Sequence, residues 1–215
     1  MRHPELYSEH IAAKVVHDKL KEYRTKRDLS RTPEPSGGKK NDGNPIFVIQ
    51  KHDARNLHYD FRLEVDGALA SWAVPKGPST DPGVKRLAIH VEDHPMDYAS
   101  FEGVIPEGMY GAGTVLVWDR GTYRNLLAEK DEPLSMEESI EKGHVEVWLE
   151  GEKLQGGYAL VQMKGRGDNQ WLLVKMSDEK ADARRNPVST QPDSVITGAS
   201  LEEIRASIEK REASS

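Results

Sequence analysis

A chain of 215 residues is long enough to bury one sizeable core and too short for two full domains with linkers. It has no cysteine, which excludes disulfides, thiolate zinc sites and cysteine nucleophiles, so any metal must be held by histidine, carboxylate or carbonyl groups. The formal net charge of −6 argues against a uniformly basic nucleic-acid binder, yet between Lys14 and Lys40 nine Lys and Arg residues stand against four Asp and Glu. That local excess suits phosphates, and equally suits a solvated helix face. No run of about 18 apolar residues is present, and the opening MRHPELYSEH lacks the apolar stretch of a signal peptide, so a soluble, cytoplasmic protein is expected.

From Ser8 to about Arg27 the apolar residues Ile11, Val15, Val16, Leu20 and Tyr23 recur at helical spacing, and Ser8 can cap the first turn. One amphipathic helix is expected there. The following RTPEPSGGKKNDGNP is punctuated by proline and glycine and reads as an extended arm, so residues 1–44 form a helix and arm ahead of the core. From Pro45 to about residue 178 the texture changes to short runs rich in Val, Ile, Trp, Phe and Tyr between Gly, Pro and Asp. Strands are expected near 46–52, 57–65, 68–74, 86–92, 113–118, 144–150, 157–164 and 170–176. Asp66-Gly67 and Gly151 lie between such runs, where hairpin turns tolerate positive φ.

Roughly eight strands with few helices predict a mainly β fold: a compact closed antiparallel β-barrel, whose closure removes exposed sheet edges, with an N-terminal helix and short peripheral helices. Trp72, Trp118, Trp148 and Trp171 fall in these strands and are expected in the core rather than as base-stacking platforms. Residues 133–142 and 200–213 predict the short helices, the second using Leu201, Ile204 and Ile208. The stretch 180–199, with Pro187, Pro192 and Gly198, reads as an exposed linker, which sets 179–215 apart as a polar linker and terminal helix.

The segment QKHDARNLHYDFRLEVDG carries the chemistry. Leu57, Tyr59, Phe61, Leu63 and Val65 alternate with His58, Asp60, Arg62 and Glu64, so in a strand all four polar residues share one face. Such a row lines a polar cavity or is a charged outer face. His58 and Asp60 at this spacing converge on a metal, and His52 at the end of the preceding strand can supply a third ligand. Two imidazoles and a carboxylate leave positions open for water or a phosphate oxygen, and the donor set accepts manganese, iron, zinc or cobalt. Arg62 on the same face suits a bidentate grip on phosphate or carboxylate. In VEDHPMDY, His94 follows a predicted strand and is placed at a loop mouth, four residues before Tyr98; its near-neutral titration suits proton transfer or phosphate binding. The glycines of EGVIPEGMYGAG lead into a strand with no GK[ST] after them, and read as a long structured turn rather than a phosphate cradle.

The words FVIQKHDARNLHYDFRLEVDG, SWAVPKGPS, VEDHPMDY and FEGVIPEGMYGAGTVLVWDRGTY, in that order and separation, resemble the 3′-phosphoesterase domain of bacterial and archaeal DNA ligase D over about Arg27 to Met176. The resemblance implies a stand-alone version, since no polymerase or ligase module fits into 215 residues. It also implies a compact β-barrel that heals 3′ ends during non-homologous end joining, with Mn2+ as the preferred metal and Co2+ or Zn2+ as substitutes. By position it implies His52, His58 and Asp60 as metal ligands, Arg62 and His94 as the phosphate-binding pair, and Tyr98 as the active-site tyrosine. Arg27, Asp28 and Glu34 match the functional arm, while Gln50, Lys76 and Arg86 match secondary residues around the pocket.

The implied reaction has two phases, a phosphodiesterase step that removes a 3′-terminal ribonucleoside and a phosphomonoesterase step that removes the remaining 3′-phosphate. Implied partners are nucleic-acid 3′ ends, as primer-templates with a 3′ ribonucleotide or 3′-phosphate, and separate ligase, polymerase or Ku-type end-joining proteins. After about Asp178 no counterpart in the family is placed. Two other classes stay open: a non-haem iron oxygenase built on His58, Asp60 and His94, and a catalytically silent DNA-end-binding module that recruits a separate ligase.

Overall fold

The computed structural model describes residues 18–37 and 43–213. Of the expected N-terminal helix it describes α1 (Lys21–Lys26); Ser8 and the residues up to 17 lie outside the described part. The strands are β1 (Ile46–Asp53), β2 (Leu57–Val65), β3 (Ala68–Val74), β4 (Lys85–Pro95), β5 (Gly103–Ile105), β6 (Gly113–Asn125), β7 (His144–Gly151), β8 (Gln155–Gln162) and β9 (Gln170–Lys175). Three further helices are α2 (Met136–Glu141), α3 (Pro187–Thr190) and α4 (Leu201–Glu212).

The antiparallel order β1-β2-β3-β4-β9-β8-β7-β6 closes into a barrel because the long β6 pairs with β7 at one end and with β1 along its middle. Eight strands form the wall, and β5 lies outside it as an extra strand on β6. Every expected strand is present. The short β5 was missed inside the glycine-rich turn, since three residues carry too little periodicity to read.

Alternation decides which side chains fill the barrel. Phe47 and Ile49 of β1, Phe61 and Leu63 of β2, Trp72 of β3 and Leu149 of β7 turn inward, and Trp118 and Trp171 complete a close-packed interior. Trp148 departs from expectation: it has the opposite phase to the buried Val147 and Leu149, stays half-buried, and donates its Nε1 hydrogen to Glu150. A second, smaller apolar cluster lies on the other side of the wall. Val48, Leu69, Val115 and Val117 face outward there and are roofed by Tyr23 of α1, by Met96 and Tyr98 of a 3-10 turn after β4, and by Phe101. The polar face of β2 is therefore not inside the barrel; Asp60, Arg62 and Glu64 are buried on its outer side, and His58 at the strand's start is partly exposed.

The stretch 180–199 is not the exposed linker its composition predicts. Thr80 donates to the carbonyls of Asp182 and Arg185, the indole of Trp118 donates to Gln191, and the amide of Val195 donates to Val117. Its backbone polar groups are paired by barrel residues far away in sequence, which no local pattern reveals. Leu201 and Ile204 of α4 then join the barrel core. No helix among the described residues is long and apolar enough to cross a membrane.

The inward phase of β2 can be tested by a pair of truncations. Leu63 is 0% exposed and Leu57 is 46% exposed. Leu63→Ala is expected to lower unfolding free energy by about 2–5 kcal/mol, and Leu57→Ala to change it by no more than about 0.5 kcal/mol, both read by urea denaturation. Equal losses would refute the assignment of faces.

Candidate metal and phosphate site

Strand register assembles the first cluster. His52 stands directly opposite His58 across β1 and β2, and Gln50 opposite Asp60, so three candidate donors share one end of one hairpin. His52 Nδ1 and His58 Nε2 each lie 3.7 Å from a different oxygen of Asp60. One ligand atom from each residue lies within 4.8 Å of the others.

The donor chemistry fits a divalent transition metal. His58 Nδ1 lies 2.9 Å from the carbonyl of Asn56, which fixes its proton there and leaves Nε2 free to ligate. His52 Nε2 is buried without any hydrogen-bond partner, an arrangement that costs free energy unless something binds it. Burial alone would raise the pKa of Asp60, but Arg62, His52 and His58 together hold its carboxyl well below the usual range, so it is ionised and ready to ligate.

Arg62 joins this cluster to a second one. Its side chain is 2% exposed and all three nitrogens are engaged: Nε donates to Gln50 at 2.9 Å, Nη1 to Ser71 at 2.8 Å, and Nη2 meets Asp60 at 3.1 Å. Ser71 lies 3.4 Å from His94 Nδ1, whose nearer partner is the Glu92 carbonyl at 2.9 Å.

His94 is placed by a bulge. Ser71 pairs with Val91 and Leu69 with His94, so β4 carries one more residue than β3 in this interval. The extra residue reverses the phase of the strand. His90 packs against Trp72 and Trp171 in the core, while His94, four residues on, sits on the outer side. His94 is thus a buried strand residue and not at a loop mouth, a correction that follows from β4 running through to Pro95. Burial, with the guanidinia of Arg62 and Arg27, pushes its pKa well below the ordinary histidine value.

The arm supplies the roof. Arg27 donates to Glu34 at 2.9 Å and Glu92 at 2.8 Å, and its Nη2 lies 3.2 Å from His94 Nε2. Its guanidinium packs on the ring of Tyr23. Tyr98 donates to Glu34 at 3.1 Å, and burial raises its pKa so that it remains protonated. Gln50 donates to the carbonyls of Tyr98 and Phe101, which ties the roof to the wall.

Of the twelve residues singled out in the sequence, His52, His58, Asp60, Arg62, Gln50, His94, Arg27, Glu34 and Tyr98 form this one connected set. Asp28 is exposed and bonds to Ser30. Lys76 is exposed after β3, and Arg86 opens β4 with a buried, unpartnered Nε; neither is hydrogen-bonded to the set. Ser71 and Glu92 belong to the site without having been singled out. Glu92 was legible only as the residue two before His94, and Ser71 only through its strand pairing.

Fold and site together define a β-barrel protein in which His52, His58 and Asp60 could hold a metal ion beside a buried arginine and histidine. The family described as the DNA Ligase D 3'-phosphoesterase domain matches residues 50–162, and the chain belongs to that family. It is 53% identical over 188 residues to the multifunctional non-homologous end joining protein LigD of Pseudomonas aeruginosa, covering 85% of this chain and 22% of that protein. To the LigD of Mycolicibacterium smegmatis it is 47% identical over 167 residues, and to that of Mycobacterium tuberculosis 49% over 170. Each of these two matches covers 77% of this chain and 21% of the relative, so the chain spans about a fifth of these relatives' length.

Two outcomes are expected. His58→Ala, which leaves the roof intact, should weaken Mn2+ affinity at least about tenfold by isothermal titration; unchanged affinity would remove His58 from the donor set. Because the folded pKa of His94 is depressed, unfolded His94 binds a proton that the folded protein refuses, so its contribution to stability is present above about pH 6.5 and lost as pH falls below it. Asp93 and Asp119, pushed up to about 6, act in the opposite sense. His94→Gln should therefore lose less stability than the parent between about pH 7.5 and 5 in urea titrations.

Proposed function

We propose that the protein is a manganese-dependent phosphoesterase that heals 3′ ends of nucleic acid, removing 3′-terminal ribonucleosides and 3′-phosphates to leave ligatable 3′-hydroxyls. The observation that carries this reading is the buried pair of Arg62 and His94 set between the His52, His58 and Asp60 donors and Arg27, in a member of a 3′-phosphoesterase family. Mn2+ held by His52, His58 and Asp60 would supply Lewis-acid stabilisation of charge on a phosphoryl oxygen.

The chain's own residues do the rest. Arg62, already oriented by Gln50, Ser71 and Asp60, neutralises the phosphate from beside the metal donors. His94 is neutral at rest, its Nδ1 proton held by the Glu92 carbonyl and its Nε2 open toward Arg27. An incoming phosphate raises its proton affinity, so Nε2 takes up a proton, binds the phosphate and passes that proton to the leaving oxygen. Arg27, Glu34 and Tyr98 form the roof of the site over the phosphate. Water or a neighbouring 2′-hydroxyl attacks. Asp28, Lys76 and Arg86 are assigned to the nucleic-acid strand beyond the reacting phosphate. The relatives' names carry the end-joining context, and ligase, polymerase or Ku-type proteins are the proposed partners.

The iron-oxygenase reading is not favoured. It pairs His58 and Asp60 with His94, whereas the histidine that joins them within ligating distance is His52, and Arg62 stands between Asp60 and the neighbourhood of His94.

The test is incubation with two labelled primer-templates, one ending in a 3′ ribonucleotide and one in a 3′-phosphate, with Mn2+ or chelator. Shortening of the first and dephosphorylation of the second are expected with Mn2+ only, and both should fall at least about 100-fold in His94→Ala. Retained end binding with no turnover of either substrate would leave the silent end-binding module as the better reading.

A further inference from the structure

The glycine-rich turn between β5 and β6 holds one residue that neither the metal cluster nor the phosphate set uses. Tyr110 is 46% exposed, although a tyrosine ring usually buries most of its surface. The turn beneath it is ordered by hydrogen bonds from the amide of Met109 to Pro106 and of Ala112 to Met109, with Gly108 and Gly111 at positive φ on either side. At Gly113 an added Cβ would lie 2.3 Å from the carbonyl of Asp53, so only glycine lets the turn close against β1 beside His52. The backbone that carries the ring is thus fixed against the barrel wall, and two cations stand near the ring. Lys26 Nζ is 5.2 Å and Arg27 Cζ 5.0 Å from its centroid.

Arg27 is also the group that meets His94, so an exposed aromatic ring stands one guanidinium away from the proposed phosphate position. The same ring forms one rim of a cavity of about 890 Å³ running between α1 and β4. That cavity is lined by six carboxylates, Glu92 and Asp93 among them, against Lys19, Lys21 and Lys26, an excess of negative charge that disfavours a phosphate backbone and does not oppose an uncharged base.

We infer that Tyr110 is the platform on which the terminal nucleobase stacks, so that the site selects 3′ ends by the base attached to the reacting phosphoester. The inference rests on the phosphoesterase reading for the position of the phosphate. Stacking on an aromatic face is tolerant of base identity, so the platform discriminates base-bearing from abasic ends and not one sequence from another.

The test compares two oligonucleotides that differ only at the terminal unit: a nucleoside 3′-phosphate, or the same unit with hydrogen in place of the base. Affinity is measured in chelator and kcat/KM in Mn2+. The parent should favour the base-bearing end by roughly five- to 150-fold, the equivalent of one stacked base. Tyr110→Phe should keep that ratio and Tyr110→Ala should bring it close to one while leaving the abasic end almost unaffected. Equal losses on both ends in Tyr110→Ala would assign Tyr110 to positioning Arg27, and no loss on either would remove it from the site; each result overturns the platform. Failure of the parent to turn over either end would count against the phosphoesterase reading, while the affinity ratio would still decide the stacking.

Discussion

The guanidinium of Arg62 is the group on which the site depends. A cation withdrawn from water is tolerated only when its donors are matched by acceptors, and here Gln50, Ser71 and Asp60 take one nitrogen each. Every one of those partners reaches further. Gln50 holds two carbonyls of the roof, Ser71 touches His94, and Asp60 belongs to the metal cluster. A single buried charge thereby couples barrel wall, roof and both halves of the site.

The roof adds a second charge layer that changes the meaning of the basic N-terminal segment. In the sequence the cations there suit phosphates or solvent. In the structure Arg27 is bound by the buried carboxylates of Glu34 and Glu92, and Lys26 is bound by Glu22 and Glu92. Arg27 is fixed inside a buried polar network before any ligand arrives, where charge interactions are stronger than at a surface, while Lys26 is paired at its exposed edge. Preorganisation of this kind is what phosphate chemistry asks of a protein, because the donors need no rearrangement when charge develops.

The barrel interior contributes rigidity and leaves the chemistry to its outer face. Trp72, Trp118 and Trp171 fill the inside, while every site residue on β1, β2, β3 and β4 has the outward phase. The usual reading of a strand, apolar inward and polar to solvent, holds for the apolar half of β2. It fails for the polar half because α1, the arm and the 3-10 turn cover it.

Sequence alone determined the eight wall strands, the two faces of β2 and three candidate metal donors, because period two and the i, i+2 spacing of His58 and Asp60 are local properties of one chain segment. The resemblance to a known family brought His94, Arg27 and Glu34 into the same site. Only the tertiary structure decided that His94 lies in a strand, that Ser71 and Glu92 complete its surroundings, and that 180–199 packs on the barrel. Each of these turns on a long-range relation: a one-residue bulge between β3 and β4, a cross-strand neighbour, or a backbone carbonyl met by a side chain about a hundred residues away. Local patterns report which face a residue takes, and pairing between distant segments decides what that face meets.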